Sequence, residues 1–340
     1  MFIDSSKVDA TLTDFPVTII LSIASGIGDA DVSAVFDELT SDANRFKIAV
    51  TDENNQQLYV EIESWDDATE TAVLHVKVPS ISSSANTILY LYYDSAQADN
   101  TSYVGDTTDA VTHNVWDANF AAVWHMAQSP NGDTAGAIKD STVNANDGKP
   151  EANMTTADLV TAKVGKGIDF DGSNDRILFP NDGSLTCGSG DFTIEAVVFN
   201  DVVNDDWIWS NYGLNNYNAS VLILDTSKFK AFFRDGSQNA LNIHGSIVGQ
   251  PSTWYHVAGV RNSTTGYLYV NGSQDGSDSN ASIGNVDTSD GPGPRISSDP
   301  WDFDFFDGIQ DEVSLSLSAR SAAWIKATYN SLWDSLITFS

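Results

Sequence analysis

The sequence predicts an all-β protein built from two tandem β-sandwiches, and three observations indicate this class. Many short segments alternate apolar and polar residues with a period of two, which is the pattern of strands that bury one face. Aromatic and β-branched residues fill these segments, and the chain contains 9 Trp, 11 Tyr and 16 Phe in 340 residues. Clusters of Gly, Asn and Asp separate the segments, as turns require.

The clearest segment is Thr253–Ser273, which predicts two strands joined by a tight loop. From Trp254 to Val260, alternate side chains point to opposite faces, and Tyr267–Val270 alternates again. The second run ends at Asn271-Gly272, a pair that favours positive φ and is a strong signal for a hairpin turn. We therefore expect two adjacent antiparallel strands here.

The first part of the chain, residues 1–106, predicts a small β-sandwich. We expect Pro79 to end the strand that begins at Thr71, and a short helical piece within Val32–Leu39. The expected strands are Phe15–Leu21, Phe46–Thr51, Leu58–Trp65, Thr71–Val78 and Ile88–Tyr93.

The polar stretch Ala96–Asn114 predicts a linker, taken as residues 107–118, and residues 119–340 predict the second sandwich. Within Ser273–Ser298 we expect one short strand near Ile283. Ser318–Leu332 predicts a helix capped by Ser318, with Ala322, Ile325, Tyr329 and Leu332 on one face. The other expected strands are Ile168–Phe170, Arg176–Phe179, Phe192–Phe199, Trp207–Ser210, Ser220–Leu224, Lys228–Arg234, Ala240–His244 and Gly308–Leu317.

Four motifs in the second part occur in a fixed order: Gly167–Asp175 (GIDFDGSND), Asp191–Ala196 (DFTIEA), the Thr253–Ser273 hairpin and Phe306–Val313 (FDGIQDEV). Together they resemble bacterial laminin-G-like domains of the concanavalin A-like jelly-roll type. The resemblance covers residues 119–340 and implies a jelly roll. Such sandwiches host lectins, adhesins, enzymes and inert spacers, so the fold alone does not settle function.

The first part resembles a small β-sandwich domain of unassigned function that often precedes laminin-G-like domains. The segments that carry this resemblance are Lys7–Ala10, Asp14–Val17, Glu61–Trp65, Val76–Ile81 and Leu89–Tyr93.

The net charge is −31, from 16 basic and 47 acidic residues. This charge excludes nucleic acid as a partner, because nucleic-acid binding needs a basic surface. Three causes of the acidity stay open: Asp-rich turns, calcium-binding loops, and a saline habitat that screens like charges. No apolar run approaches 18 residues, so we expect no insertion into a membrane. The start of the sequence lacks the features of a signal peptide.

A calcium site is one expectation. Asp311 has the strand parity of Ile309, Val313 and Leu315, which predicts that its carboxylate faces the core. A buried carboxylate needs a partner, and calcium accepts six to eight oxygen ligands. The laminin-G-like resemblance also implies a structural Ca²⁺. We expect Asp311 to bind it with Asp171, Asn174 or Asp175; the alternative is that Asp311 accepts hydrogen bonds and Asp171–Asp175 is only a turn.

A sugar-binding surface is a second expectation, and it needs aromatic rings beside polar loops. The candidates are Trp301, which stands among four acidic residues and a proline, and then Trp207, Trp209 and Tyr212, with Tyr217 nearby. The alternative is that these rings pack in the core. The five histidines are scattered without metal-ligand spacing, so we expect them to serve structure.

An enzyme is the weaker interpretation. Glu61 and Glu63 share a predicted strand face, and hydrolysis of a glycosidic bond uses two carboxylates. The pair lies outside the jelly-roll resemblance, however, and the resemblance explains it as the outward face of a sandwich strand.

These observations predict a non-enzymatic extracellular binding or adhesion module that recognises a glycan on a phage particle or bacterial surface. Its partners would be a surface glycan or other virion or surface proteins, with homo-oligomers as a further expectation. The missing signal peptide favours a virion component. Two alternatives stay open: a purely structural virion decoration or tail-fibre protein without a ligand, and a polysaccharide-degrading enzyme.

Overall fold

A computed structural model describes residues 1–213, 217–286 and 291–340. Part of the predicted stretch Ser273–Ser298, and part of the region between the candidate residues Tyr212 and Tyr217, therefore lie outside the described residues. The chain forms two units: the first comprises residues 1–117 and 323–340, and the second comprises residues 118–322. The all-β class is confirmed, with 45% strand, 9% helix, and four sheets that form two sandwiches.

The first unit begins with seven strands and a short helix, α1 (Ala34–Leu39). The strands are β1 (Phe2–Ile3), β2 (Leu12–Leu21), β3 (Ile48–Asp52), β4 (Val60–Asp66), β5 (Thr71–Ile81), β6 (Thr87–Tyr93) and β7 (Val104–Asp106).

Fifteen strands lie in the part of the second unit that the structure describes. They are β8 (Phe120–Trp124), β9 (Lys149–Glu151), β10 (Leu159–Thr161), β11 (Lys166–Asp171), β12 (Arg176–Leu178), β13 (Phe192–Asn200), β14 (Trp207–Tyr212), β15 (Ala219–Asp225), β16 (Lys228–Arg234), β17 (Ala240–Val248), β18 (Thr253–Asn262), β19 (Thr265–Val270), β20 (Ser273–Ser279), β21 (Arg295–Ile296) and β22 (Asp307–Ser316). The chain ends with helix α2 (Ala322–Leu332) and strand β23 (Ile337–Thr338).

The first unit is a sandwich of two four-stranded sheets, with strand orders β23-β1-β6-β3 and β2-β5-β4-β7. The sequence predicted that strand β5 ends at Pro79, but the strand continues to Ile81. Pro79 stands opposite Asp14, whose φ is 51°, at an interruption between the pairs Thr13–Ser80 and Phe15–Val78. The missing N–H of Pro79 therefore costs no ladder hydrogen bond.

The C-terminal segment belongs to the first unit, whereas the sequence assigned it to the second domain. Strand β23 pairs with β1, and Trp324 packs edge-to-face on Phe15 with ring centroids 4.8 Å apart. Helix α2 begins at Ala322, so Ser318 lies four residues before it. Its buried side includes Trp324, Ile325 and Leu332, but Ala322 is exposed.

The predicted linker also belongs largely to the first unit. Strand β7 pairs in parallel with β4, and Val115 is fully buried. The indole Nε1 of Trp116 donates a hydrogen bond of 2.6 Å to Glu61. Small polar residues in this stretch make turns close to the sheet, which explains why composition alone suggested a linker.

The second unit is a jelly roll of two large sheets. One has the order β10-β11-β22-β13-β18-β19-β20, with β8 paired to β22; the other, here called the smaller sheet, has the order β17-β16-β15-β14-β21-β12-β9. The core between them contains Trp124, Phe192, Trp209 and Phe233 among many buried residues.

The predicted hairpin is confirmed, because β18 and β19 pair antiparallel from Val257–Val270 to Asn262–Thr265. Asn271 and Gly272 have φ values of 49° and 73°, as a two-residue hairpin turn requires, and β20 follows directly. The expected strand near Ile283 is wrong, since Ile283 lies outside any strand. The strands of that region are the polar β20 and the short β21.

None of the helices in the described ranges has the length and apolar character that crossing a lipid bilayer requires.

Candidate functional site

The candidate site lies on the outer face of the smaller sheet, which we define as the face turned away from the core. In β16, Phe229, Ala231 and Phe233 enter the core. Because side chains alternate along a strand, Lys228, Lys230, Phe232 and Arg234 occupy the outer face. Across the neighbouring strand, Val221 pairs with Phe232 and Ala219 pairs with Arg234, so these residues share that face.

Two tryptophans of the predicted site are separated by a register shift in β14. Trp207 pairs with Ile223, whereas Trp209 pairs with Leu222, so the strand holds one extra residue at this point. Trp207 is partly buried on the outer face and packs against the group formed by Tyr212, Ala219 and Val221. Trp209 is fully buried and stacks on Trp124, with centroids 5.8 Å apart. The structure therefore removes Trp209 from the predicted surface.

Trp301 and Tyr212 lie together. Their ring centroids are 5.0 Å apart with an interplanar angle of 62°. Trp301 is 45% exposed, while Tyr212 beneath it is buried. Asp299 shapes the loop that carries Trp301, since its Oδ1 accepts hydrogen bonds from the amides of Phe303 (2.7 Å) and Asp304 (3.3 Å).

Arg234 completes this cluster, and the sequence analysis did not select it. Its guanidinium carbon lies 5.3 Å from the ring centroid of Tyr212, 5.5 Å from that of Tyr217 and 5.3 Å from that of Phe232. Its Nε donates to the carbonyl of Tyr217 at 2.5 Å, and Nη2 donates to the Tyr212 hydroxyl. Alternation in Lys228–Arg234 (KFKAFFR) was the signal that would have placed Arg234 beside Phe232. We call Tyr212, Tyr217, Phe232, Arg234 and Trp301 the aromatic–arginine cluster.

Aspartates surround Trp207 near this cluster. Burial, together with the neighbouring charges of Asp307, Asp205 and Asp304, raises the pKa of Asp206 to about 6. Burial likewise raises the pKa of Asp304, whose carboxylate accepts a hydrogen bond from Trp207. Asp206 is buried, whereas Asp304 is exposed and is an acceptor of the kind that sugar hydroxyls need.

The predicted calcium ligands are divided between two places. Asp171 Oδ1 accepts from the amides of Ser173 (2.9 Å) and Asn174 (3.1 Å), so it closes its own turn. Asp175 Oδ2 accepts from the Asp171 amide at 3.3 Å, and burial beside Asp171 raises the pKa of Asp175 to about 6. Asp171 on β11 pairs with Asp307 on β22, and Asp307 precedes Asp311 by four residues along that strand. At about 3.3 Å per residue, Asp311 is too distant to share an ion with this turn.

Asp311 also faces the other side of its sheet. The pairing of β13 with β22 shifts between Glu195–Ser314 and Val197–Asp311, and Glu312 has a φ of 49°. This bulge reverses the parity that the sequence assumed, so Asp311 points away from the core while Val313 and Leu315 enter it. Asp311 is nonetheless fully buried; its Oδ2 accepts from the Val164 amide at 2.8 Å, and burial raises its pKa well above the usual value.

The register does gather other aspartates on that same side, at the end of the larger sheet. Asp169 and Asp171 on β11 share the face of Asp307 on β22, and Asp201 follows β13. Burial, together with the charges of Asp201 and Asp171, raises the pKa of Asp307. Burial and the charge of Asp201 likewise raise the pKa of Asp169. The charges of these four carboxylates are therefore near enough to one another to interact.

Histidine–glutamate pairs are a feature that the sequence analysis missed. In the first unit, His75 Nε2 lies 2.9 Å from Glu63 Oε2. In the second unit, His256 Nε2 lies 3.1 Å from Glu195 Oε2, and His125 Nδ1 lies 2.8 Å from Glu312 Oε1. All three pairs are buried. Imidazole nitrogen and carboxylate oxygen are metal-ligand types, so a pair of this kind could hold a metal with further ligands.

The carboxylates considered for catalysis are engaged in the first unit. Glu61 is fully buried, accepts from Trp116 and stands opposite His75 on β5. A register shift lies between Ile62 and Ser64, which places Glu63 at a bulge, against His75. The expectation that Glu61 faces outward is therefore wrong.

Residues 171–326 match the family described as "Concanavalin A-like lectin/glucanases superfamily", and residues 30–127 match the one described as "Domain of unknown function (DUF2341)". The chain thus carries a concanavalin A-like, laminin-G-type domain preceded by a domain of the second family, and both resemblances noted in the sequence are confirmed. A comparison with curated proteins finds no match.

Among solved structures, the chain is similar to the binding domain of Paraclostridial Mosquitocidal Protein 1, at 16% identity and a TM-score of 0.48 over 64% of this chain and 55% of that one. It is similar to domain 4 of AbnA, an extracellular arabinanase from Geobacillus stearothermophilus, at 18% identity and a TM-score of 0.42. This match covers 62% of this chain and 98% of that one. The chain is also similar to the botulinum neurotoxin serotype G binding domain, at 12% identity and a TM-score of 0.44 over 62% of this chain and 50% of that one. The chain spans about half the length of the two toxin domains.

Proposed function

We propose that the chain is a non-enzymatic, extracellular binding module that recognises a glycan through the aromatic–arginine cluster of its second unit. The observation that supports this most is the edge-to-face packing of exposed Trp301 on buried Tyr212. A buried ring under an exposed one fixes the upper ring in place, so little entropy is lost when a ligand packs on it.

The chemistry of the cluster suits a sugar. A pyranose ring presents C–H groups on its faces, which pack on an indole, and hydroxyls on its rim, which need hydrogen-bond partners. Asp304, which is exposed, supplies an acceptor beside Trp207, and Arg234 supplies donors next to Tyr212. The membership of this unit in a superfamily that includes lectins agrees with the proposal.

The absence of catalysis is part of the proposal. Glu61 and Glu63, the carboxylates that the sequence suggested for hydrolysis, hold Trp116 and His75. Polysaccharide turnover by the wild-type chain would contradict this part. Turnover that persists in a Glu61→Gln, Glu63→Gln double variant would show that catalysis uses other residues.

A competing aromatic surface exists in the first unit. Tyr90 and Tyr92 on β6 are 44% and 49% exposed, with ring centroids 6.3 Å apart. A glycan array followed by affinity electrophoresis tests the two surfaces with matched variants. We expect Trp301→Ala to abolish retardation by the glycan that binds, and Tyr92→Ala to leave it unchanged. Loss in Tyr92→Ala alone would move the site to the first unit, and no binding to any glycan would contradict the proposal.

A further inference from the structure

We infer that the ligand of the aromatic–arginine cluster is an acidic glycan, and that Arg234 is the residue that recognises its anionic group. This inference rests on the proposed function and adds the substrate class. It is carried by the distribution of charge over the outer face of the smaller sheet and by the surroundings of one guanidinium.

Positive charge is concentrated on this face. The chain has only 16 Lys and Arg against 47 acidic residues. Register places six of the 16 on the outer face of this one sheet: Lys149, Arg176, Lys228, Lys230, Arg234 and Arg295. Glu151, Asp225 and Asp302 also lie against this face, so an anionic ligand would be recognised by a cation that has no carboxylate partner.

Most of these cations already have carboxylate partners. Glu151 lies 2.9 Å from both Lys149 and Arg176, and Asp225 lies 2.7 Å from Lys230. Asp302 lies 2.9 Å from Arg295. Among the described residues, Arg234 and Lys228 have no such partner on this face. Lys228 is at the far end of β16, about 20 Å away along the strand, and lies outside the cluster.

The surroundings of Arg234 suit an anion. Its two described hydrogen bonds go to a neutral carbonyl and a neutral hydroxyl, so within the ranges 1–213, 217–286 and 291–340 no carboxylate is paired with its charge. The rings of Tyr212, Tyr217 and Phe232 hold the planar group and displace water from it, which strengthens any charge interaction there. A guanidinium donates through a planar fork, which matches the two oxygens of a carboxylate or sulfate.

Tyr212 contacts both Arg234 and Trp301. A sugar ring packed on Trp301 and an acidic group at Arg234 are therefore separated by the width of one tyrosine ring. A short glycan segment with one sugar acid spans both, so stacking and charge recognition act on the same ligand.

Two matched pairs of polymers test the inference with the full chain. Polygalacturonate is compared with its methyl ester, and dextran sulfate with dextran, by affinity electrophoresis and titration calorimetry at about 0.15 M salt, where the Debye length is ~8 Å. In each pair the backbone is the same and only the acidic group differs. Tighter binding of polygalacturonate than of its methyl ester identifies a carboxylate as the recognised group. Tighter binding of dextran sulfate than of dextran identifies a sulfate.

We expect the wild-type chain to bind one acidic polymer at least about tenfold more tightly than its neutral counterpart. Arg234→Gln should remove that preference, and Lys228→Gln, which lowers the charge of the same strand by the same amount, should retain it. Arg234→Lys keeps the charge and the packing of the aliphatic stem, so it replaces the glutamine variant in this test if that variant unfolds. It should lose most of the preference for the acidic polymer, because an ammonium lacks the planar fork of a guanidinium.

Equal binding to the acidic and neutral members of both pairs would overturn the inference while leaving the proposed function in place, provided that Trp301→Ala still abolishes binding. Full preference in both Arg234→Gln and Arg234→Lys would also overturn it. Failure to bind any glycan would remove the proposed function and the inference together.

Discussion

The indole of Trp301 rests edge-on against the ring of Tyr212, with the two centroids 5.0 Å apart. Tyr212 is itself fixed by Arg234 and by packing against Ala219 and Val221, so an exposed residue in a loop is supported from below by the sheet. This support distinguishes Trp301 from Phe303, which is 81% exposed in the same loop.

Replacing Trp301 by Ala should weaken glycan binding about tenfold or more, enough to abolish retardation in affinity electrophoresis, because the lost ring packing is worth roughly 0.5–1.5 kcal/mol in addition to the buried apolar area. The free energy of unfolding should change little, since the ring is 45% exposed. Phe303→Ala is the matched control and should bind as the wild type does. Titration calorimetry measures both, and equal losses in the two variants would show that the loop, and not the Trp301 ring, is responsible.

Replacing Trp209 by Ala should destabilise the second unit by about 3–5 kcal/mol, because it removes a fully buried indole that stacks on Trp124. Urea unfolding measures the change. Trp209→Phe should retain much of the stability and all of the glycan affinity. A normal unfolding free energy in Trp209→Ala, accompanied by lost binding, would return Trp209 to the site that the sequence suggested.

Asp206→Asn should make the protein more stable at pH 8. Burial raises the pKa of Asp206 to about 6 in the folded state, above the usual value of 3.8. The folded state therefore holds this proton more tightly than the unfolded state, so protonation stabilises the fold as the pH falls from about 6 towards 4. Above pH 6 the buried charge is a penalty that asparagine avoids.

The measurement is the difference in unfolding free energy between the wild type and Asp206→Asn across pH 4–8, in which the titration of all other groups cancels. The difference should favour the variant at pH 8 and shrink towards pH 4. A difference that does not vary with pH would show that Asp206 is not the titrating group.

Calcium stays a prediction, and its test is thermal melting with added Ca²⁺ or with chelator. The four aspartates Asp169, Asp171, Asp201 and Asp307 share one face, and a divalent cation would relieve the repulsion that raises the pKa of Asp169 and Asp307. Calcium should raise the melting midpoint, since a ligand that binds only the folded state stabilises it.

Asp307→Asn should abolish this rise, and Asp99→Asn, at an exposed residue of the first unit, should keep it. An unchanged midpoint in the wild type with and without chelator would dismiss a stabilising calcium site.

The strands and the central hairpin could be predicted because their signals are local. Alternation in β16 and β18 fixes which side chains are buried, and Asn271-Gly272 fixes the turn between β19 and β20. Strand β20 escaped prediction because an edge strand of Ser, Asp and Gly buries little apolar surface and carries no alternation.

The site was harder to predict because two bulges reverse strand parity. An extra residue near Ile208 separates Trp207 from Trp209, and the positive φ of Glu312 turns Asp311 away from the core. A bulge depends on the partner strand, so period-two counting cannot detect it. The assignment of helix α2 to the first unit depends on pairing between β1 and β23, which are more than 330 residues apart.

The most direct test of the central claim is a fluorine NMR titration of the chain labelled with 5-fluorotryptophan, using the glycan found to bind. Each of the nine tryptophans gives a resonance, and single Trp→Phe variants assign them. We predict that the resonances of Trp301 and Trp207 shift with a common saturation curve, while those of buried Trp124 and Trp209 stay in place. A saturating glycan that shifts other tryptophans, such as Trp65 of the first unit, and leaves Trp301 unchanged would contradict the account.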